Sequence, residues 1–233
     1  TVAPGRDQGF YPANVNPHNP DHLLMTAHQR NLIVETRDGG RTWTQVPIAP
    51  EMEKAGGTAF VFFVNTGDGA TTGQTFLWTS AGTGGNIGTW RTQNGGRSWT
   101  RVDGNEHPHG QMQIYQDASG AVFMAGQYSG LGHGVLRSTD FGQTWKHVGF
   151  TIEQAIVFGT PNRIYASFAW ACADCDLDPN IQSAPVPGVS AWERMPRPTG
   201  MAIGAAQAAV VFDGTNYVIV TANWKAGLWR YVE

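Results

Sequence analysis

One octet recurs three times and constrains this chain more than any other feature. It follows Ser/Thr-x-Asp/Asn-x-Gly-x-Ser/Thr-Trp, and reads TRDGGRTW from Thr36 to Trp43, TQNGGRSW from Thr92 to Trp99 and STDFGQTW from Ser138 to Trp145. A short side-chain acceptor in third place closes a turn onto the backbone that follows, as a carboxylate at Asp38 and Asp140 and as an amide at Asn94. Gly40, Gly96 and Gly142 supply positive φ at the reversal, and Trp43, Trp99 and Trp145 fold back as apolar caps. With Trp192 of SAWERM continuing the series, the tryptophans stand 56, 46 and 47 residues apart, the length of a repeated four-stranded unit.

Dividing the chain by that period predicts an all-β fold, a β-propeller of about five four-stranded blades in a single domain spanning residues 1–233. The blades fall roughly at 9–48, 57–103, 109–150, 151–196 and 203–233. Related third strands read WRT (Trp90 to Thr92), LRS (Leu136 to Ser138) and WRY (Trp229 to Tyr231). The last ends so near the final residue that the fifth blade has three strands, and residues 1–6 are the expected fourth. Thirty Gly, thirteen Pro and nine Trp with 14% charged residues agree with a turn-dense sheet protein.

The three octets identify the chain as similar to the Asp-box, or BNR-repeat, β-propellers. That group holds sialidases, glycoside hydrolases and polysaccharide lyases, and also non-catalytic assembly factors and receptors. The resemblance covers the octets and their flanking strands, and the remainder only by period. It implies that the box is a structural hairpin, so that Asp38, Asn94 and Asp140 serve folding and chemistry lies elsewhere. A true sialidase would carry six blades and three arginines around the substrate carboxylate. Arg91, Arg137 and Arg230 instead share one third-strand position, where pairing with neighbouring blades is expected.

A net charge of −3 gives no cationic field for a phosphate backbone, so no nucleic-acid partner is expected. No apolar run reaches bilayer length, so no membrane partner is expected either. The chain starts at Thr1 without an export signal, and a secreted, monomeric protein whose leader has been removed is the reading adopted. Cys172 and Cys175 lie in a polar loop as C-x-x-C, read either as a local disulfide or as two free thiols.

If the box joins third and fourth strands, the short turns share its face and the longer loops share the other, where function is expected. Second strands end in the column Gln29, Gly82, Tyr128, Trp170 and Trp224, preceded by His28, Ala81, Gln127, Ala169 and Asn223. Aromatic platforms beside polar groups suit sugars. His28, Gln127, Trp170, Asn223, Trp224 and His107 are therefore the expected substrate-binding residues. His107, His109 and His133 gather on this face with His28, whereas His18 and His22 belong to the turns opposite.

A glycosidase needs two carboxylates across the scissile bond, and only Glu106, Glu153 and Glu35 are spared from turns. A polysaccharide lyase needs a base and a cation beside a uronate carboxylate. On that reading His109 or His133 is the base, Tyr128 the proton donor, and Arg30 or Lys225 the carboxylate partner. Asp174, Asp176 and Asp178 alternate within ADCDLDPN, read either as a calcium loop or as a solvated acidic loop; no other cofactor is required. The expected partner is a polysaccharide or oligosaccharide, with a lectin-like or protein-binding module as the competing reading.

Overall fold

The computed structural model describes residues 9–28, 30–55, 58–81, 88–104, 113–125, 134–148, 156–167, 180–189, 191–201, 204–205, 207–223 and 227–233. The strands form five antiparallel sheets, the blades of a five-bladed propeller. The first comprises β1 (Asn14–Asn16), β2 (Asn19–Thr26), β3 (Ile33–Thr36) and β4 (Thr44–Val46). The second has β5 (Thr58–Phe63), β6 (Phe76–Ala81), β7 (Gly88–Thr92) and β8 (Thr100–Asp103). The third has β9 (Tyr115–Gln116), β10 (Val122–Ala125), β11 (Val135–Ser138) and β12 (Lys146–His147). The fourth has β13 (Ile156–Gly159), β14 (Arg163–Ser167), β15 (Gln182–Pro185) and β16 (Glu193–Arg194). The fifth has three strands, β17 (Gln207–Phe212), β18 (Tyr217–Asn223) and β19 (Gly227–Val232). Residues 1–6, expected to close it, lie outside the described residues. Among the described residues helix is confined to single turns, α1 (Gly69–Thr72), capped by Asp68, and a 3-10 turn at Met52–Lys54.

The chain divides into two compact units, one of Thr1–His109 with Gly120–Val122 and Ser138–Trp145, the other of Gly110–Ser119, Phe123–Arg137 and Lys146–Glu233. In the first unit, side chains alternate along each strand and both faces of the second sheet are apolar. Ala59, Val61, Phe63, Phe76, Trp78 and Trp90 cluster with Leu24, Ile33 and Val46 of the first sheet. Phe60, Phe62 and Leu77, also buried, lie on the opposite face beside Arg91. In the second unit, Ile156, Phe158 and Tyr165 of the fourth sheet pack with Ala205 and Ile219.

Each octet connects a third strand to a fourth, and its side chains form the turn. Thr36 Oγ1 donates to Asp38 Oδ1 at 2.7 Å and accepts from Gly40 N–H at 3.0 Å. Asp38 also accepts from the backbone N–H and the hydroxyl of Thr42, at 2.9 and 2.6 Å. Ser138, Asp140 and Thr144 repeat this set. At Asn94 the last bond reverses, the amide Nδ2 donating to Ser98 Oγ at 2.8 Å. A hydroxyl can do either, so the hairpin survives the loss of charge.

The hydrogen bonds from Thr42 hold Asp38 down to about 2. At Asp140 burial pushes upward, and the bonds from Thr144 and Ser138 outweigh it, again to about 2. The glycines have a second duty beyond positive φ. A Cβ on Gly96 would lie 2.2 Å from Val46 Cγ1, and one on Gly142 would lie 2.9 Å from Leu77 Cδ2. The second and third hairpins therefore rest with bare backbone on the sheet before them. Arg91 completes the second of these contacts, its Nε donating to the Phe141 carbonyl at 2.7 Å.

Candidate functional site

Of the expected site, the structure describes His28, Arg30 and the backbone of Asn223, and it places the first two on the tight turn that follows β2. Ala27 N–H donates to Leu32 O at 3.1 Å and Arg30 N–H to Ala27 O at 3.3 Å. His28 is exposed; its N–H donates to Gly9 O at 2.8 Å, and its ring stands edge-on to Tyr11 at 5.5 Å. Tyr11 in turn packs on Phe60 at 4.5 Å. Arg30 is exposed on the same turn. Asn223 ends β18 opposite Gly227. His107, His109, Gln127, Tyr128, His133, Trp170, Trp224 and Lys225 lie outside the described residues, as do Asp174, Asp176 and Asp178. Among the described residues no three His, Cys, Asp or Glu side chains gather to hold a metal ion.

Two expectations are corrected. His22 is a strand residue, only 1% exposed, rather than part of a turn, and Glu35 is engaged with it rather than available as a glycosidase carboxylate. Asn16 Oδ1 accepts the His18 N–H at 2.9 Å, so its amide NH2 faces His22 Nδ1 at 3.1 Å. That nitrogen must accept, which places the ring proton on Nε2, donated to Glu35 Oε1 at 2.6 Å. Arg37 donates to the same carboxylate at 2.7 Å. Burial pushes Glu35 upward, but the His22 bond and the Arg37 charge outweigh it and hold its carboxyl below the usual range. The cluster is structural, with His22 edge-on to Phe63 at 4.6 Å.

A site not anticipated from the sequence lies in the second unit, between the fourth and fifth sheets. It is a cavity of about 530 Å³. Phe158, Tyr165, Trp229 and Tyr231 supply aromatic walls, and Met201 and Thr221 line it as well. Phe158 and Tyr165 stack at 5.5 Å with 12° between their planes, and Tyr231 meets Tyr165 edge-on at 6.1 Å. Burial pushes the Tyr165 phenol well above its usual range, so it is neutral and bonded to Glu233 Oε1 at 3.1 Å. Arg197 Nε donates to Met201 O at 2.6 Å and fixes the connecting segment against this space. Ser167, the last residue of β14, accepts from Ala205 N–H at 3.0 Å.

The cavity thus reaches the strand ends that lead, in sequence, towards Trp170 and Trp224. Flat rings with a few hydroxyl and guanidinium groups can stack a ring or aliphatic face and orient hydroxyls. Among the described lining residues there is no carboxylate, so they do not supply the carboxylate pair of a glycosidase. The only forewarning in the sequence was WRY in β19, matched to WRT of β7, which marks Trp229 as an inter-sheet residue.

No protein family matches the chain, and no curated relative does. Solved structures do match. A GH74 xyloglucanase from Xanthomonas campestris is 17% identical with a TM-score of 0.63, covering 94% of this chain and 36% of that one. An ancestral GH74 enzyme is 17% identical with a TM-score of 0.62, covering 95% and 30%. YCF48, solved bound to D1 peptide, is 12% identical with a TM-score of 0.53, covering 95% and 63%. The likeness is one of fold, and the chain spans between 30% and 63% of the lengths of these proteins.

Proposed function

We propose that the chain is a secreted, carbohydrate-interacting propeller of the Asp-box type that acts on a glycan at its loop-bearing face. The observation that carries this reading is the cavity walled by Phe158, Tyr165, Trp229 and Tyr231, because a rigid aromatic wall at a strand end is what a sugar ring stacks on. The GH74 neighbours support the same class of ligand through their fold. Chain cleavage on this reading is of lyase or glycosidase type. His109 or His133 takes the proton, Tyr128 returns one to the leaving oxygen, and Arg30 or Lys225 holds the uronate carboxylate. The second reading, a lectin-like module without catalysis, is favoured by the want of a carboxylate among the described cavity residues.

A panel of neutral and uronic-acid polysaccharides separates these readings. Binding is followed by calorimetry, hydrolysis by new reducing ends and elimination by the absorbance of unsaturated products. Trp229→Ala is expected to weaken binding by about tenfold or more, corresponding to loss of a stacking contact worth roughly 1.4 kcal/mol. Binding without either product identifies the lectin-like form. No binding across the panel, or a Trp229→Ala chain that binds as tightly as the parent, overturns the proposal.

A further inference from the structure

Of the three octets, the second alone carries an amide in third place, and beside it lies a polar pocket of about 390 Å³. Arg91, Gln93, Asn94, Ser98, Thr100 and Gln143 line it, all of them in the first unit. Among the described lining residues there is no carboxylate and no aromatic ring. Arg91 is its charged member. It is only 6% exposed, and among the described residues its guanidinium forms one hydrogen bond, from Nε to Phe141 O, and no ion pair. The Nη groups are left without an acceptor. Burial pulls the guanidinium below its ordinary value, and the field of Asp140 only partly offsets this, because the Asp140 carboxylate is already held by Ser138, Gln143 and Thr144. A buried cation so little compensated favours an anion beside it.

The amide at Asn94 changes the pocket in two ways. It keeps a negative charge off the wall that the other octets would carry. It also turns a hydroxyl around: Asp38 and Asp140 take the hydroxyl protons of Thr42 and Thr144, whereas Asn94 Nδ2 donates to Ser98 Oγ. The Ser98 proton is thereby released to an acceptor beyond the hairpin. Gln143 donates its backbone N–H to Asp140 Oδ1 and its Nε2 to Asp140 O, which leaves its Oε1 and a second amide hydrogen. With Gln93 and Thr100, both exposed, the rim offers groups that donate and accept together, as a sugar hydroxyl requires.

We infer that this pocket binds a uronic acid residue, with its carboxylate on the Arg91 Nη groups and the Ser98 hydroxyl and its ring hydroxyls on the carboxamides of Gln93 and Gln143. The volume is that of a small-ligand site. A bare sulfate would meet the cation but leave the carboxamides idle, and a neutral sugar would leave the cation uncompensated. The pocket stands apart from the aromatic cavity of the second unit, and its occupant does not depend on what that cavity takes.

Titration with sodium glucuronate, glucose and sodium sulfate, followed by amide chemical shifts, tests it. Glucuronate is expected to shift Ser98 and Gln143, with glucose and sulfate each about tenfold weaker or more. Asn94→Asp restores the carboxylate that the other two hairpins already fold around, and is expected to weaken glucuronate by about tenfold or more while the circular dichroism spectrum stays unchanged. Gln143→Ala, at an exposed position, should cost about threefold for the loss of a hydrogen bond. Trp229→Ala is expected to leave this binding intact, so failure of the aromatic cavity and failure of this pocket read separately. Any of four results overturns the inference: no glucuronate binding or shifts confined to other residues, glucose or sulfate bound as tightly as glucuronate, Asn94→Asp and Gln143→Ala chains that bind like the parent, or binding lost with Trp229.

Discussion

The third strands of the second and fifth sheets spell nearly the same word and meet opposite surroundings. In β7, GTWRT, every residue is buried; in β19, GLWRYV, only Trp229 is even half-buried. Trp90 and Trp229 hold the same register, each turned towards the sheet before it, and Arg91 and Arg230 each face onward. The difference lies beyond Arg91, where the third hairpin covers Leu77 and accepts the guanidinium bond. Residues of one type at one position of the repeat are core in one blade and surface in another. In β7 it is the third hairpin that makes the difference.

Charge placed on the two onward faces gives the largest contrast. Leu77→Lys puts an ammonium group at a site with no exposure and is expected to cost about 4 kcal/mol or more. Leu228→Lys, at 79% exposure, should stay within about 0.5 kcal/mol. Urea unfolding of dilute protein, followed by circular dichroism, measures both, and equal losses would show that the fifth sheet is covered in solution.

Removing the onward arginine comes next. Arg91→Ala leaves the Phe141 carbonyl without that donor and is expected to cost about 1–3 kcal/mol, read as earlier unfolding of the first unit. Arg230→Ala at the same low concentration should change stability by less than about 0.5 kcal/mol.

The smallest effect is acidic. Asp38 and Asp140 lie near 2 in the folded chain against an ordinary value of 3.8. Folding therefore favours their carboxylates, and the stability they supply is complete above about pH 4 and fades as pH falls through 2. Asp38→Asn with Asp140→Asn copies the hairpin already built around Asn94, and should flatten the loss of stability between those values. A double variant as acid-sensitive as its parent would assign that loss to other carboxylates.

The octets made the fold readable because each carries its own turn chemistry: acceptor, glycine and tryptophan are local, and local spacing survives in a sequence. The second strands were legible for the same reason, as alternation within one strand, but their ends were not: β2 stops at Thr26 and leaves His28 on the turn beyond it. His22 was misplaced because PHNPD reads as a turn, and nothing local reports that Asn16, Glu35, Phe63 and Phe76 converge on its ring. The cavity beside Trp229 was missed because its walls come from β13, β14, β18, β19 and the connection between sheets, segments whose meeting is set by packing. Arg91 was placed correctly on a neighbouring blade, but its acceptor is a backbone carbonyl, which no side-chain pattern records.

The contact of Gly96 with Val46 and of Gly142 with Leu77 has a consequence for how this architecture can change over time. Within the first unit, the step from one leaf to the next is gauged by a missing methyl group, so it tolerates almost no drift at that position. Exposed positions outside the hairpins meet no such limit. A lineage could therefore rewrite most of its surface, and with it whatever the loops recognise, while the hinge between leaves stays fixed by two hydrogens.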